Sequence, residues 1–204
     1  MSRRLLRFVG LALGLFLLFN SPPVRWAYSH WFVGSLNLAY ASCGGDRMAE
    51  LAKEKDEHGR FDTVLRVGSK RAGRYVATLP LSSTRQGLIP ITCFLALLLA
   101  TPISWADRGR ACLLGLLLLQ VFTILRVGIT LLLGFASIQV GESSSLLPWP
   151  EPVVRFLAFL ELPLGSNLTT GYVVGLGCWL LLCHRHLDLD ELGLGSLMGG
   201  GGSD

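Results

Sequence analysis

Charge is scarce in this chain. Of its 204 residues, 16% are Asp, Glu, Lys or Arg and 51% are hydrophobic. That balance fits a polytopic membrane protein better than a soluble domain. Five cysteines are present (Cys43, Cys93, Cys112, Cys178 and Cys183), but no two are spaced Cys-x-x-Cys. Metal and redox chemistry therefore lose their usual signature, and no cofactor or metal is expected. Cys43 alone falls in a polar segment; as a set, the thiols read as small packing residues. No internal repeat is present. There is no ring of acids and no pair of interrupted apolar helices, so a channel or transporter is disfavoured. The net charge of +4 does not signal a nucleic-acid partner, because the basic residues are scattered or flank apolar runs. After Phe19 the chain reads Asn-Ser-Pro-Pro-Val-Arg, with no small-x-small cleavage site. The basic, apolar N-terminus is thus read as an uncleaved anchor rather than a signal peptide.

Long apolar runs are what the chain has instead. A membrane span takes roughly 20 apolar residues. Four stretches reach or approach that length: Leu5–Phe19, Gly87–Trp105, Ala111–Val140 and Leu168–Cys183. Arg3, Arg4 and Arg7 precede the first, Asp107, Arg108 and Arg110 lie between the second and third, and His184, Arg185 and His186 follow the fourth. The positive-inside rule places these on the cytoplasmic side. The expected fold is an all-α integral membrane bundle of about four transmembrane helices with a small extracytoplasmic segment containing a β-hairpin. Four regions follow: an anchor helix over 1–20, an extracytoplasmic segment over 21–86, a membrane core over 87–186 and a flexible cytoplasmic tail over 187–204. Both termini are expected inside, in a cytoplasmic (inner) membrane.

Within the outer segment, Pro22-Pro23 redirects the chain after the first helix. Val24–Ala41 carries Trp26, Tyr28, Trp31, Phe32 and Tyr40 among polar residues, the pattern of an amphipathic interfacial helix. A charged stretch follows, with a helix expected over Arg47–Lys55. Alternation over Phe61–Gly68 and Gly73–Leu79, around a turn containing Lys70 and Arg71, predicts a β-hairpin, with Pro80 ending its second strand. Two strands alone are marginal in water, so the hairpin should dock on the membrane helices or on a partner. Val153–Gly165 is too short to span and reads as interfacial or re-entrant.

Arg126 most needs explaining. It sits in the longest apolar run, about 22 Å along the helix from Ala111, where a guanidinium costs at least ~2.5–3.5 kcal/mol. Such a charge is expected to face protein or a wet cavity. It could serve a site, or simply pair with Glu161 or Glu142. Ser82, Ser83, Thr84 and Arg85 open the second membrane helix, where hydroxyls cap orphan N–H groups and the helix end favours anions. Asn167 opens the fourth. Three helix ends could therefore meet at one outer pocket.

The order Tyr75-Val-Ala-Thr-Leu-Pro-Leu-Ser-Ser-Thr-Arg-Gln-Gly-Leu88, Asp107-Arg-Gly-Arg110, Thr123-Ile-Leu-Arg-Val-Gly-Ile-Thr-Leu131, Asn167-Leu-Thr-Thr-Gly-Tyr172 resembles the exosortase/archaeosortase family over roughly residues 61–183. Those membrane enzymes process C-terminal sorting signals of exported proteins. The resemblance puts Ser82 at the nucleophilic cysteine, Thr123 at an asparagine, Asn167 at a histidine and Arg126 at the retained arginine. It implies a catalytic set of Ser82, Arg126 and Asn167, with Arg85, Thr84 and Thr123 contacting substrate. A serine needs a base, and none is placed for it, since Asn167 cannot serve. Two readings stay open for such a scaffold: a peptidase or transpeptidase with Ser in place of Cys, or a relative that recognises an exported C-terminal segment without cleaving it. The alternative is a non-enzymatic structural subunit of a secretion or envelope complex. The expected partners are the lipid bilayer and an exported segment or other membrane subunits.

Overall fold

The computed structural model describes residues 3–40, 47–54, 61–69, 73–137, 139–140, 144–145, 149–164 and 168–183. The tail, Cys43, Lys70, Arg71, Glu142 and Asn167 lie outside them. The chain is mostly helical, with a small antiparallel sheet. Helix α1 covers Arg3–Phe19 and α2 Pro22–Tyr40; strands β1 (Arg47–Lys53), β2 (Thr63–Ser69) and β3 (Arg74–Leu81) follow. A π-helical turn, Thr84–Leu88, leads into α3 (Ile89–Ala100). Then come α4 (Trp105–Ser137), the two-residue strands β4 (Gln139–Val140) and β5 (Ser144–Ser145), α5 (Glu151–Leu164) and α6 (Leu168–Cys183).

The four apolar runs are all helical, but their lengths differ from expectation. Among the described residues only α4 is long and apolar enough to cross a bilayer by itself. The second run stops at Ala100 rather than Trp105, because Thr101 turns to extended backbone (φ −73°, ψ 131°) and Pro102 follows, as the residue before a proline prefers.

The hairpin is present and is wider than predicted. Segment 47–53 is a strand, not the expected helix, and pairs antiparallel with β2, giving the order β1-β2-β3. Met, Ala, Glu, Leu and Lys favour helix by intrinsic propensity, but tertiary pairing overrides so weak a preference. Asn37 of α2 fixes the outcome: its amide donates to the Leu51 carbonyl at 2.9 Å and its oxygen accepts from the Leu51 N–H at 2.8 Å. Pro80 does not end β3 but lies inside it, opposite Val64. It is tolerated because β3 is an edge strand. Cross-strand rows Leu51–Leu65–Leu79 and Ala49–Val67–Ala77 form the inner face.

That face meets Phe32 and Leu36 of α2 and Val127, Leu131 and Phe135 of α4 in one buried cluster. Each such side chain contributes ~1.5–3 kcal/mol by leaving water. The hairpin thus docks on the C-terminal half of α4. Helix α2 buries Phe32 and Leu36, while its Trp26, Trp31 and Leu38 are exposed. A second cluster joins Phe94 and Leu98 of α3, Ala111 and Leu119 of α4, and Trp179 and Cys183 of α6. At the C-terminal end of α3, Thr101 links three helices. Its hydroxyl accepts from Trp179 Nε1 at 2.8 Å, and its carbonyl accepts from Arg108 Nη2 at 2.8 Å. Helices α3 and α6 touch through Gly175, where a Cβ would lie 2.6 Å from the Pro90 carbonyl oxygen; small residues permit such backbone approach. Asn20 closes α1, donating to Phe16 O at 2.9 Å and to Thr92 Oγ1 of α3 at 3.1 Å.

Candidate functional site

The entrance to α3 is built from hydroxyls, as the Ser-Ser-Thr run suggests, and an acid from β2's approach completes it. Ser82 Oγ accepts the Arg85 N–H at 3.3 Å, a standard capping contact. The Ser83 N–H donates to Asp62 Oδ1 at 2.7 Å, and the Ser83 hydroxyl donates to Asp62 Oδ2. An acidic group here also complements the positive end of the helix dipole. Ser82 and Ser83 are buried, whereas Arg85 is exposed and Thr84 half-buried.

Immediately inward the backbone widens into the π turn, with the Ile89 N–H donating to the Thr84 carbonyl. Such turns are rare and concentrate at functional sites. Tyr28 of α2 fits into this one: a Cβ on Gly87 would lie 1.9 Å from the Tyr28 hydroxyl oxygen. That hydroxyl and Gln86 Oε1 are both buried with no hydrogen-bond partner among the described residues. Burial, and secondarily the charge of Asp62, push the Tyr28 phenol above its ordinary range.

The π turn packs against both α4 and α6. On α4, Thr123 and Arg126 lie one turn apart and are buried, Arg126 to 3% exposure. The Thr123 hydroxyl donates to the Leu119 carbonyl of its own helix at 2.8 Å, which is ordinary intrahelical back-bonding. Thr130, one turn further along α4 from Arg126, donates to Glu161 Oε1 of α5 at 3.3 Å. Glu161 thus joins α5 to α4 beside the arginine. On α6, a Cβ at Gly171 would lie 3.5 Å from the Arg85 carbonyl oxygen, so the first turn of α6 abuts the π turn. Ser82, Thr84 and Arg85 are therefore assembled at a junction that α4 and α6 share. Asn167, just before α6, is outside the described residues. Cys93 is half-buried within α3, and its thiol contacts the Tyr172 carbonyl at 3.9 Å, away from the entrance.

Beside the entrance lies a groove of about 550 Å³, bounded by Pro22, Arg25 and Trp26 of α2, Lys53 of β1, Asp62 and Thr84. Sequence reasoning missed Asp62, Arg25 and Lys53 as site residues. Their spacing carries no motif, and only the third strand and the α2 fold-back bring them to one place. Among the described residues no group of three His, Cys, Asp or Glu is placed to hold a metal. No family model matches the chain, and no curated protein or solved structure is significantly similar to it.

Proposed function

We propose that the chain is an exosortase-like polytopic membrane protein with an altered site, which recognises an exported C-terminal segment at the outer membrane–water interface. The observation that carries this is the junction itself: a capped, π-distorted helix entrance packed on the helix that buries Arg126. Membrane placement is supported by α4, whose apolar window is only 28% buried in the protein. A core helix of a soluble protein would be mostly covered. Leu113, Leu117, Val121 and Leu125 of α4, Leu13 and Leu17 of α1, and Val173 and Leu181 of α6 extend the same exposed apolar surface.

In this reading α1, the π turn with α3, α4 and α6 all span. The three shorter ones measure about 24–26 Å against a ~30 Å hydrocarbon core, a shortfall that slight thinning absorbs at modest cost. The termini are inside, and the sheet, the groove and α5 are outside. Recognition is favoured over cleavage because both serine hydroxyls are held within the entrance, Ser82 Oγ by the Arg85 N–H and Ser83 Oγ by Asp62, and no base is placed for either among the described residues. Asp62, the group bonded to Ser83, is the partner that holds the turn. Arg85, exposed at the mouth, offers a forked donor for a carboxylate of the segment.

The test places a photo-crosslinking residue at Thr169, exposed on the first turn of α6. Crosslinks to the C-terminal segment of an exported protein are expected, with its length unchanged and with loss of the crosslinks in Arg85→Gln. Shortening of that protein by the wild type, abolished by Ser82→Ala, would replace recognition with serine-dependent processing. Crosslinks confined to lipid would end the reading.

A further inference from the structure

The groove beside the entrance has a charge balance that its residue list conceals. Two acids and two bases line it: Asp62, Glu54, Arg25 and Lys53. The acids are already engaged. Asp62 holds Ser83 through both oxygens, and Glu54 accepts from Arg66 Nη2 at 3.4 Å. Lys53 Nζ lies against the His30 ring at 2.8 and 3.0 Å and over the Trp26 ring at 5.6 Å. Arg25 is different. Among the described residues its guanidinium forms no hydrogen bond and no ion pair. The groove therefore offers an unused forked donor next to an ammonium, with its carboxylates spoken for. That chemistry selects an anion, and phosphate above all.

Position then selects the source of the phosphate. Leu17 and Leu18, on the last turn of α1, are exposed. Asn20 and Ser21 follow, and Pro22 is already groove wall. An apolar, lipid-facing surface thus runs directly into the polar groove. At the rim stands Trp26, 67% exposed, and indoles prefer this depth. The volume lies within the ~300–1,000 Å³ range of small-molecule sites. We infer that the groove seats the phosphate headgroup of an anionic glycerophospholipid from the outer leaflet, its acyl chains lying along α1. This goes beyond segment recognition, with which it shares the membrane and the entrance residues Asp62 and Thr84 that border the groove.

The experiment uses the full chain in phosphatidylcholine nanodiscs, titrated with brominated phosphatidylglycerol. Bromine quenches tryptophan at contact, and the Trp26 share is isolated by comparison with Trp26→Phe. Half-quenching of Trp26 is expected at an about fivefold lower fraction of brominated phosphatidylglycerol than of brominated phosphatidylcholine, the worth of one basic side chain near a bilayer. Arg25→Gln should erase that preference, and because Arg25 has no partner to lose, folding is not at stake. Lys53→Gln should weaken it independently. Equal quenching by both lipids, or a preference that survives Arg25→Gln, overturns the inference. Relief of quenching by millimolar glycerol phosphate would reassign the site to a free phosphate. Relief by a peptide carboxylate, but not by its amide, would reassign it to a peptide terminus. Failure here leaves the Thr169 crosslinks untouched, so the two readings fall separately.

Discussion

Replacing Gly87 by alanine sets the new methyl carbon 1.9 Å from the Tyr28 hydroxyl oxygen, 2.9 Å from Cζ and 3.3 Å from Cε1. Tyr28 cannot yield cheaply, because its ring packs on Phe32 and against the sheet–helix core. Overpacking of this kind costs ~1–3 kcal/mol. Alanine recovers ~0.5–1 kcal/mol of it through its better helical backbone entropy. The net expectation is a loss of about 1–2 kcal/mol, or roughly 2–8 °C in Tm for a chain of this length. The cause is testable by a cycle. Tyr28→Phe removes the oxygen at 1.9 Å and leaves Cζ at 2.9 Å as the nearest contact. It also deletes a buried hydroxyl that has no partner among the described residues, so alone it should be neutral or stabilising by ~1 kcal/mol. In that background Gly87→Ala should cost less but not nothing, because Cζ at 2.9 Å must still give way, and the coupling energy should be about 1 kcal/mol. Gly34→Ala on α2, with nothing within 4 Å of its Cβ, is the control and should not destabilise. Thermal unfolding in one detergent, followed by tryptophan emission, measures all four. A Gly87→Ala protein as stable as wild type, or one that Tyr28→Phe fails to rescue, would refute the fit of tyrosine into the π turn.

The same phenol sets an alkaline limit. Its native pKa lies above the ordinary value of 10.0, so above about pH 10 the unfolded chain sheds a proton that the native chain keeps. Stability should therefore be fully present below pH 10 and fall as pH rises beyond it, and melts across that range should show the fall reduced in Tyr28→Phe. Thr101→Val removes the acceptor of Trp179 Nε1 and should lower stability by ~1–2 kcal/mol. Thr101→Ser should retain most of it, a difference read from the same melts.

Apolar length and proline placement made the helices legible: α6 begins and ends where its run does, and Pro22 marks the start of α2. Alternation made β2 and β3 legible. The strand β1 was hidden because its residues favour helix locally, and its partner, the Asn37 amide of α2, lies 14 residues from the Leu51 it bonds. Pro80 misled for a related reason. Whether a proline stops a strand depends on whether that strand is an edge, and sequence order alone does not say which strand is outermost. At the site, the hydroxyl run announced a capped entrance, and the buried arginine announced a junction. Asp62 and Arg25 were silent, since each owes its place to long-range packing rather than to any neighbour in sequence.

Helix α4 has a consequence of its own. It is a single unbroken rod of 33 residues, about 50 Å long; its first half exposes Leu113, Leu114, Leu117 and Leu118 while Ala111 and Leu119 pack on α3 and α6, and its second half is the floor of the sheet. No joint separates the two. In the membrane placement proposed above, any tilt imposed on the first half would become, by simple leverage, a sideways swing of the sheet. On that placement, lipid thickness would be coupled to the attitude of the sheet.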